Sequence, residues 1–155
     1  MSLRFTISLH RVASGLKRQS SPDVQPSTPV TDHLDWFFQQ TRDNSLPLKT
    51  LATSVVLAAS PLAASPQIEA TLLPDHRVRY LDYDGEVSGN RGCVQRLVTG
   101  TYETIKSDTT QFIIRVVNAS IIDLEDQVEY EPNAAKIQSS LHRLLTTNPH
   151  VELRH

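Results

Sequence analysis

Apolar Leu3, Phe5, Ile7 and Leu9 alternate with polar Arg4, Thr6, Ser8 and His10 in "LRFTISLH". A period of two places one set on a buried face and the other on an open face, so the stretch predicts a half-buried strand with His10 near its end. Residues 11–32 carry three prolines and no clear period, which predicts a long inserted loop. "HLDWFF" then predicts a second strand: Trp36 and Phe38 face the core, and His33, Asp35 and Phe37 face the other way. After a polar turn at "TRDNS", "LKTLATSVVLA" reads as an apolar strand and "SPLAASPQIEA" as a loop.

From residue 71 the β signal continues. "HRVRYLDYDGEV" alternates Val78, Tyr80 and Asp82 against Arg79, Leu81 and Tyr83, predicting a strand that opens at His76 and breaks at Asp84-Gly85. "CVQRLVTGTYETI" predicts two short strands about Thr99-Gly100, and "TQFIIRVVNASIIDL" a β-branched strand broken near Asn118. The period then changes. Ala134, Ile137, Leu141, Leu144 and Leu145 recur at three-four spacing, so a short amphipathic helix follows Pro132, with Asn133 as its N-cap. "NPHVELRH" reads as a frayed tail. Strands at hairpin spacing predict an antiparallel barrel or sandwich over residues 1–131, followed by a helix and tail over 132–155.

Composition narrows the function classes. A net charge of −2 excludes coating nucleic acid by bulk electrostatics, so any DNA contact has to come from a local basic patch. The lone Cys93 leaves no internal disulfide and no cysteine-based zinc site, which fits a reducing, cytoplasmic setting. Cys93 reads as a small core residue, and the glycines at 85, 89, 92 and 100 as turn residues. The N-terminus alternates instead of offering an apolar export core, and "LATSVVLAASPLAAS" is too short and too interrupted by Pro61 to span a bilayer. A soluble chain with no membrane partner is expected.

Six histidines are present; His142, His150 and His155 read as solvated surface, leaving His10, His33 and His76 at strand ends. His10, His33 and Asp35 form a candidate two-histidine, one-carboxylate set, suited to Mn, Zn, Fe or Co with positions open for water or substrate. His33 and Asp35 could equally be a hydrogen-bonded pair at a strand edge.

Residues 73–103, "LPDHRVRYLDYDGEVSGNRGCVQRLVTGTYE", resemble the 3'-phosphoesterase domain of bacterial DNA ligase D and its stand-alone relatives. The resemblance rests on Asp75, His76, Tyr80, Asp82, Tyr83, Gly85, Glu86, Gly89, Gly92 and the Gly100-Thr101-Tyr102-Glu103 ending, with "HLDWFF" matching the family's H-(aromatic)-D strand. It implies a mainly β fold, a small antiparallel β-barrel with a short C-terminal α-helix. It implies a manganese or similar ion, with Zn or Co as alternatives, held by His10, His33 and Asp35. It places His76 and Tyr80 on the phosphate as catalytic groups. The implied activity is removal of a 3'-phosphate or 3'-terminal ribonucleoside from DNA ends in strand-break repair, beside a ligase or polymerase of end joining. Here 22 residues separate His10 from His33, where the family has few. Phe37 stands where active members carry an arginine, and Gln39 stands where they carry a glutamate. "PQIEATLL" lacks the family's second phosphate-binding arginine. Loss of these groups implies the alternative of an inactive relative that binds nucleic acid or protein.

Overall fold

A computed structural model describes residues 2–12, 31–56, 66–87, 91–124 and 133–155. Its strands are β1 (Leu3–Arg11), β2 (His33–Phe38), β3 (Leu48–Thr53), β4 (Gln67–Glu69), β5 (Thr71–His76), β6 (Gly85–Glu86), β7 (Cys93–Ser107), β8 (Gln111–Ile121) and β9 (His150–Arg154). One helix, α1 (Ala134–Thr147), lies between β8 and β9. The strands form one sheet in the order β4-β9-β8-β7-β1-β2-β3-β5, with β6 paired to β7 off this path. The chain is therefore mainly β, a strongly curled half-barrel with one short C-terminal helix. The two edge strands, β4 and β5, are consecutive in the chain and separated only by Ala70, so the sheet has to curl until its ends approach.

The inner face carries the main core. Phe5, Ile7 and Leu9 of β1, Leu34, Trp36 and Phe38 of β2, and Leu51 of β3 pack with Leu97, Tyr102, Phe112 and Ile114. Helix α1 contributes Ala134, Leu141 and Leu145 to this core. The Trp36 indole N–H donates to Thr53 Oγ1 at 2.9 Å, so the ring is buried with its one polar atom satisfied. The helix is seated by Gln138, whose amide donates to the carbonyls of Leu97 and Ile122.

Several expectations are corrected. Val78–Leu81 is a 3-10 turn, not a strand, and His76 closes β5 instead of opening a strand. The alternation there arises because Tyr80 and Leu81 are buried while Arg77 and Arg79 stay exposed, a pattern that one tight turn also satisfies. Thr99-Gly100 is not a turn but the middle of the 15-residue β7. Gly100 is required because a Cβ there would collide with the Asn118 carbonyl oxygen across the pair. The break near Asn118 is a bulge within a continuous β8, where Thr101 pairs Asn118 and Tyr102 pairs Val116. Gly85 and Gly92 do adopt positive φ, 144° and 93°. "LKTLATSVVLA" forms strand only to Thr53, and part of "SPLAASPQIEA" is not loop but β4.

The terminal "HVELR" is no frayed tail. It is β9, paired antiparallel to β8 and parallel to β4, with Val151 and Leu153 fully buried. Helix α1 starts at Ala134 after Asn133, as its periodicity predicts. Most of the 11–32 loop, and Gly89, lie outside the described residues.

Candidate metal centre

Strands β1 and β2 pair antiparallel, which sets His10 opposite His33 and Ser8 opposite Asp35. Alternation turns His10 and Ser8, and His33 and Asp35, onto the outer face, away from Trp36 and its core. The 22 intervening residues therefore do not prevent the two histidines from meeting. Their ring centroids are 4.7 Å apart, and one ligand atom from each of His10, His33 and Asp35 lies within 4.8 Å of the others. The cluster could hold a metal ion. It is recessed, with side-chain exposures of 12% for His10, 7% for His33 and 3% for Asp35.

The hydrogen bonds around the rings decide what the three residues present to one another. His10 Nε2 lies 2.7 Å from the Arg91 carbonyl oxygen, and His33 Nδ1 lies 2.7 Å from that of Thr31. A carbonyl only accepts, so each of these nitrogens carries the proton. In the neutral tautomers, His10 Nδ1 and His33 Nε2 keep their lone pairs. They point at Asp35, with His10 Nδ1 3.0 Å from Oδ2 and His33 Nε2 3.0 Å from Oδ1. The second approach lacks hydrogen-bond alignment and leaves Oδ1 buried without a donor. Three lone-pair donors converging in a recess need a proton on each ring or a cation between them. Histidines whose far nitrogen is tied to a carbonyl are the arrangement that fixes a metal ligand's tautomer.

Electrostatics describe the metal-free case, with a proton on each ring nitrogen that faces Asp35. Burial alone would push the Asp35 carboxyl up; the adjacent His10 and His33 outweigh it and hold the group at about 2. The carboxylate is thus ionised at neutral pH and available as an anionic ligand. Sequence reading did not single out Ser8, whose hydroxyl is buried beside this set with no hydrogen-bond partner. Its place on the polar face of β1, two residues before His10, was the available signal. The Thr31 and Arg91 carbonyls are backbone groups and left none.

Phe37 follows Asp35 on the same face of β2, one pleat repeat or roughly 7 Å along the strand. His76 and Tyr80 come together around it, both with ring centroids 5.5 Å from Phe37 and with 5.6 Å between themselves. Tyr80 stacks on Phe37 at 19° and is buried. His76 Nδ1 lies 2.7 Å from the Pro74 carbonyl oxygen, so Nε2 carries the lone pair when the ring is neutral. The two groups expected on phosphate therefore flank Phe37, beside the metal-ligand row.

Two ion pairs fasten the Val78–Glu86 segment over the outer face. Arg4 bonds Asp82 at 2.7 Å, and Arg96 bonds Asp84 at 2.8 Å with a further backbone bond to Asp84. Asp82 and Asp84 are thus both held in ion pairs. The Thr6 hydroxyl donates to the Leu81 carbonyl at 2.8 Å, adding a third fastening. His142 lies on α1 as expected but is half-buried against the Ala119 carbonyl. His155 is partly buried too, which pushes its imidazole pKa down, whereas His150 is exposed. Cys93 is half-buried and forms no disulfide.

No protein-family model and no curated protein matches the chain. Among the described residues no helix is long and apolar enough to cross a membrane.

Proposed function

We propose that this chain is a divalent-metal-dependent phosphoesterase of the ligase D type that trims 3' ends of DNA, removing a 3'-phosphate or a 3'-terminal ribonucleoside. One observation carries it: His10, His33 and Asp35 converge, with both rings oriented by backbone carbonyls so that their free lone pairs meet at the carboxylate. The sequence resemblance supplies the chemistry. Two imidazoles and a carboxylate suit manganese, with zinc or cobalt as alternatives, and three protein ligands leave room for water and a phosphoryl oxygen. When bound, such an ion neutralises phosphate charge and lowers the pKa of water. His76 and Tyr80 take the phosphate, His76 donating when protonated and Tyr80 through its hydroxyl. A DNA ligase or polymerase of end joining is the matching partner.

A second reading is favoured by Phe37. Its ring fills the position of a phosphate-clamping arginine and is itself packed by His76 and Tyr80. That is the arrangement of an inactive relative that binds nucleic acid or protein.

The test is a labelled primer ending in a 3'-phosphate or one 3'-ribonucleotide, incubated with manganese or with chelator. Trimming that needs manganese and is lost in His33→Ala and His76→Ala is the expected result. No product from folded, metal-loaded protein would transfer the assignment to the non-catalytic module.

A further inference from the structure

With a net charge of −2, the chain needs a local cationic surface to hold a polyanion. Two arginines beside the centre are already committed: Arg4 to Asp82 and Arg96 to Asp84. Arg77 and Arg79 differ. Both are exposed on the tight turn after His76, and among the described residues neither forms an ion pair. The nearest carboxylate in sequence, Asp75, is exposed at the end of β5.

Arg79 lies on aromatic rings instead. Its guanidinium carbon is 4.5 Å from the centroid of Tyr83 and 5.4 Å from that of Tyr80. Tyr80 meets Tyr83 edge-on at 5.6 Å and stacks on Phe37, the neighbour of Asp35 along β2. A continuous series of planar groups thus runs from the exposed Arg79, through half-buried Tyr83 and buried Tyr80, to the row bearing the metal ligands. The Tyr83 hydroxyl, donating to the Glu86 carbonyl at 2.6 Å, fixes its ring within the series. Only the 3-10 turn permits this; in a strand Arg79 and Tyr80 would point to opposite faces.

We infer that Arg77, Arg79 and Tyr83 form the surface on which a single-stranded nucleic acid lies as it enters the centre. The guanidiniums meet backbone phosphates, and the Tyr83–Arg79 pair offers a planar face to a base. Charge plus a planar side chain is the combination that holds single strands with little sequence preference. The inference rests on the proposed function for its choice of polyanion, and binding can be read separately from turnover.

The experiment is fluorescence anisotropy of a labelled single-stranded oligodeoxynucleotide, with chelator present, against the wild-type protein and five variants. Arg79→Ala and Tyr83→Leu should each weaken binding roughly tenfold, on the scale of one lost base-stacking contact. Arg77→Ala should lower the slope of log K against log salt by about 0.7, the value for one phosphate on a single strand. Tyr83→Phe keeps the ring and loses only the Glu86 bond, so it should weaken binding much less than Tyr83→Leu, separating stacking from loss of the hydroxyl. Arg143→Ala, on the exposed face of α1, should change nothing.

Equal affinities throughout, or no salt-dependent binding by the wild type, would overturn the surface. If manganese-dependent trimming persists with unchanged DNA affinity in all variants, the surface fails and the centre stands. Weakened binding in the variants without turnover by the wild type supports the surface while removing the activity.

Discussion

The two faces of β2 are equally hidden and chemically opposite. Leu34, Trp36 and Phe38 on the inner face and His33, Asp35 and Phe37 on the outer face are all at or below 5% exposure. Burial on the inner face is favourable by itself, since apolar area leaves water and the single indole N–H is bonded. On the outer face the first two side chains lose hydration and recover it only partly from the Thr31 carbonyl, His10 and each other. One strand thus presents a surface that stabilises in any condition and another whose contribution depends on protons and cations. Burial therefore marks core along the whole inner face, and on the outer face core at Phe37 and chemistry at His33 and Asp35.

The hardest way to break the inner face is Trp36→Ala. It empties a large, fully buried site and removes the indole bond to Thr53, so a loss of about 3–5 kcal/mol is expected in denaturant unfolding, the same with and without manganese. The outer face should behave in the reverse manner. Manganese at one hundred times its dissociation constant should stabilise the wild type by about 2.7 kcal/mol, and Asp35→Asn or His33→Ala not at all. Equal metal shifts in wild type and Asp35→Asn would place the ion elsewhere.

Of the two faces of β2, acid should act on the outer one. In metal-free protein the folded Asp35 carboxyl, at about 2, lies below its ordinary 3.8. A depressed folded value contributes stability that is complete above the ordinary value and is lost as pH falls through the folded one. The loss, on the order of 2 kcal/mol, belongs between about pH 4 and pH 2 and should vanish in Asp35→Asn. An unfolding titration in both proteins measures it. The smallest expected effect on stability is that of His76→Ala, under about 1 kcal/mol because the ring is half-exposed, while trimming activity is lost. Retained trimming would move the phosphate contact to other residues.

Much of this contrast was legible in the chain. The alternation of β1 and β2 placed Trp36 and Phe38 opposite His33 and Asp35, and the three-four spacing placed α1. The triad was readable because antiparallel pairing of two polar strand ends needs no information beyond the strands. The tight turn at Val78–Leu81 was not, since alternate burial on a short segment does not distinguish it from a strand. Gly100 misled for a related reason: glycine punctuates turns and also permits close backbone approach within a sheet. The β9 strand did leave a signal in Val151 and Leu153, but five residues depend for their order on β8 and β4, which local sequence does not contain. The orienting carbonyls of Thr31 and Arg91 could come only from coordinates.

The seam at Ala70 bears on the order of assembly. β5 pairs with β3 nearby in the chain, whereas β4, one residue before it, pairs with β9 across 85 residues, from Gln67 to Glu152. Because ordering so long an intervening stretch precedes any gain from that ladder, the parallel β4–β9 contact should form late. Until it does, the outer edge of β9 at Glu152–Arg154 lacks its partner and can pair with a second chain. The interval before β4 and β9 meet, rather than any property of the finished half-barrel, is then when this protein is most exposed to aggregation.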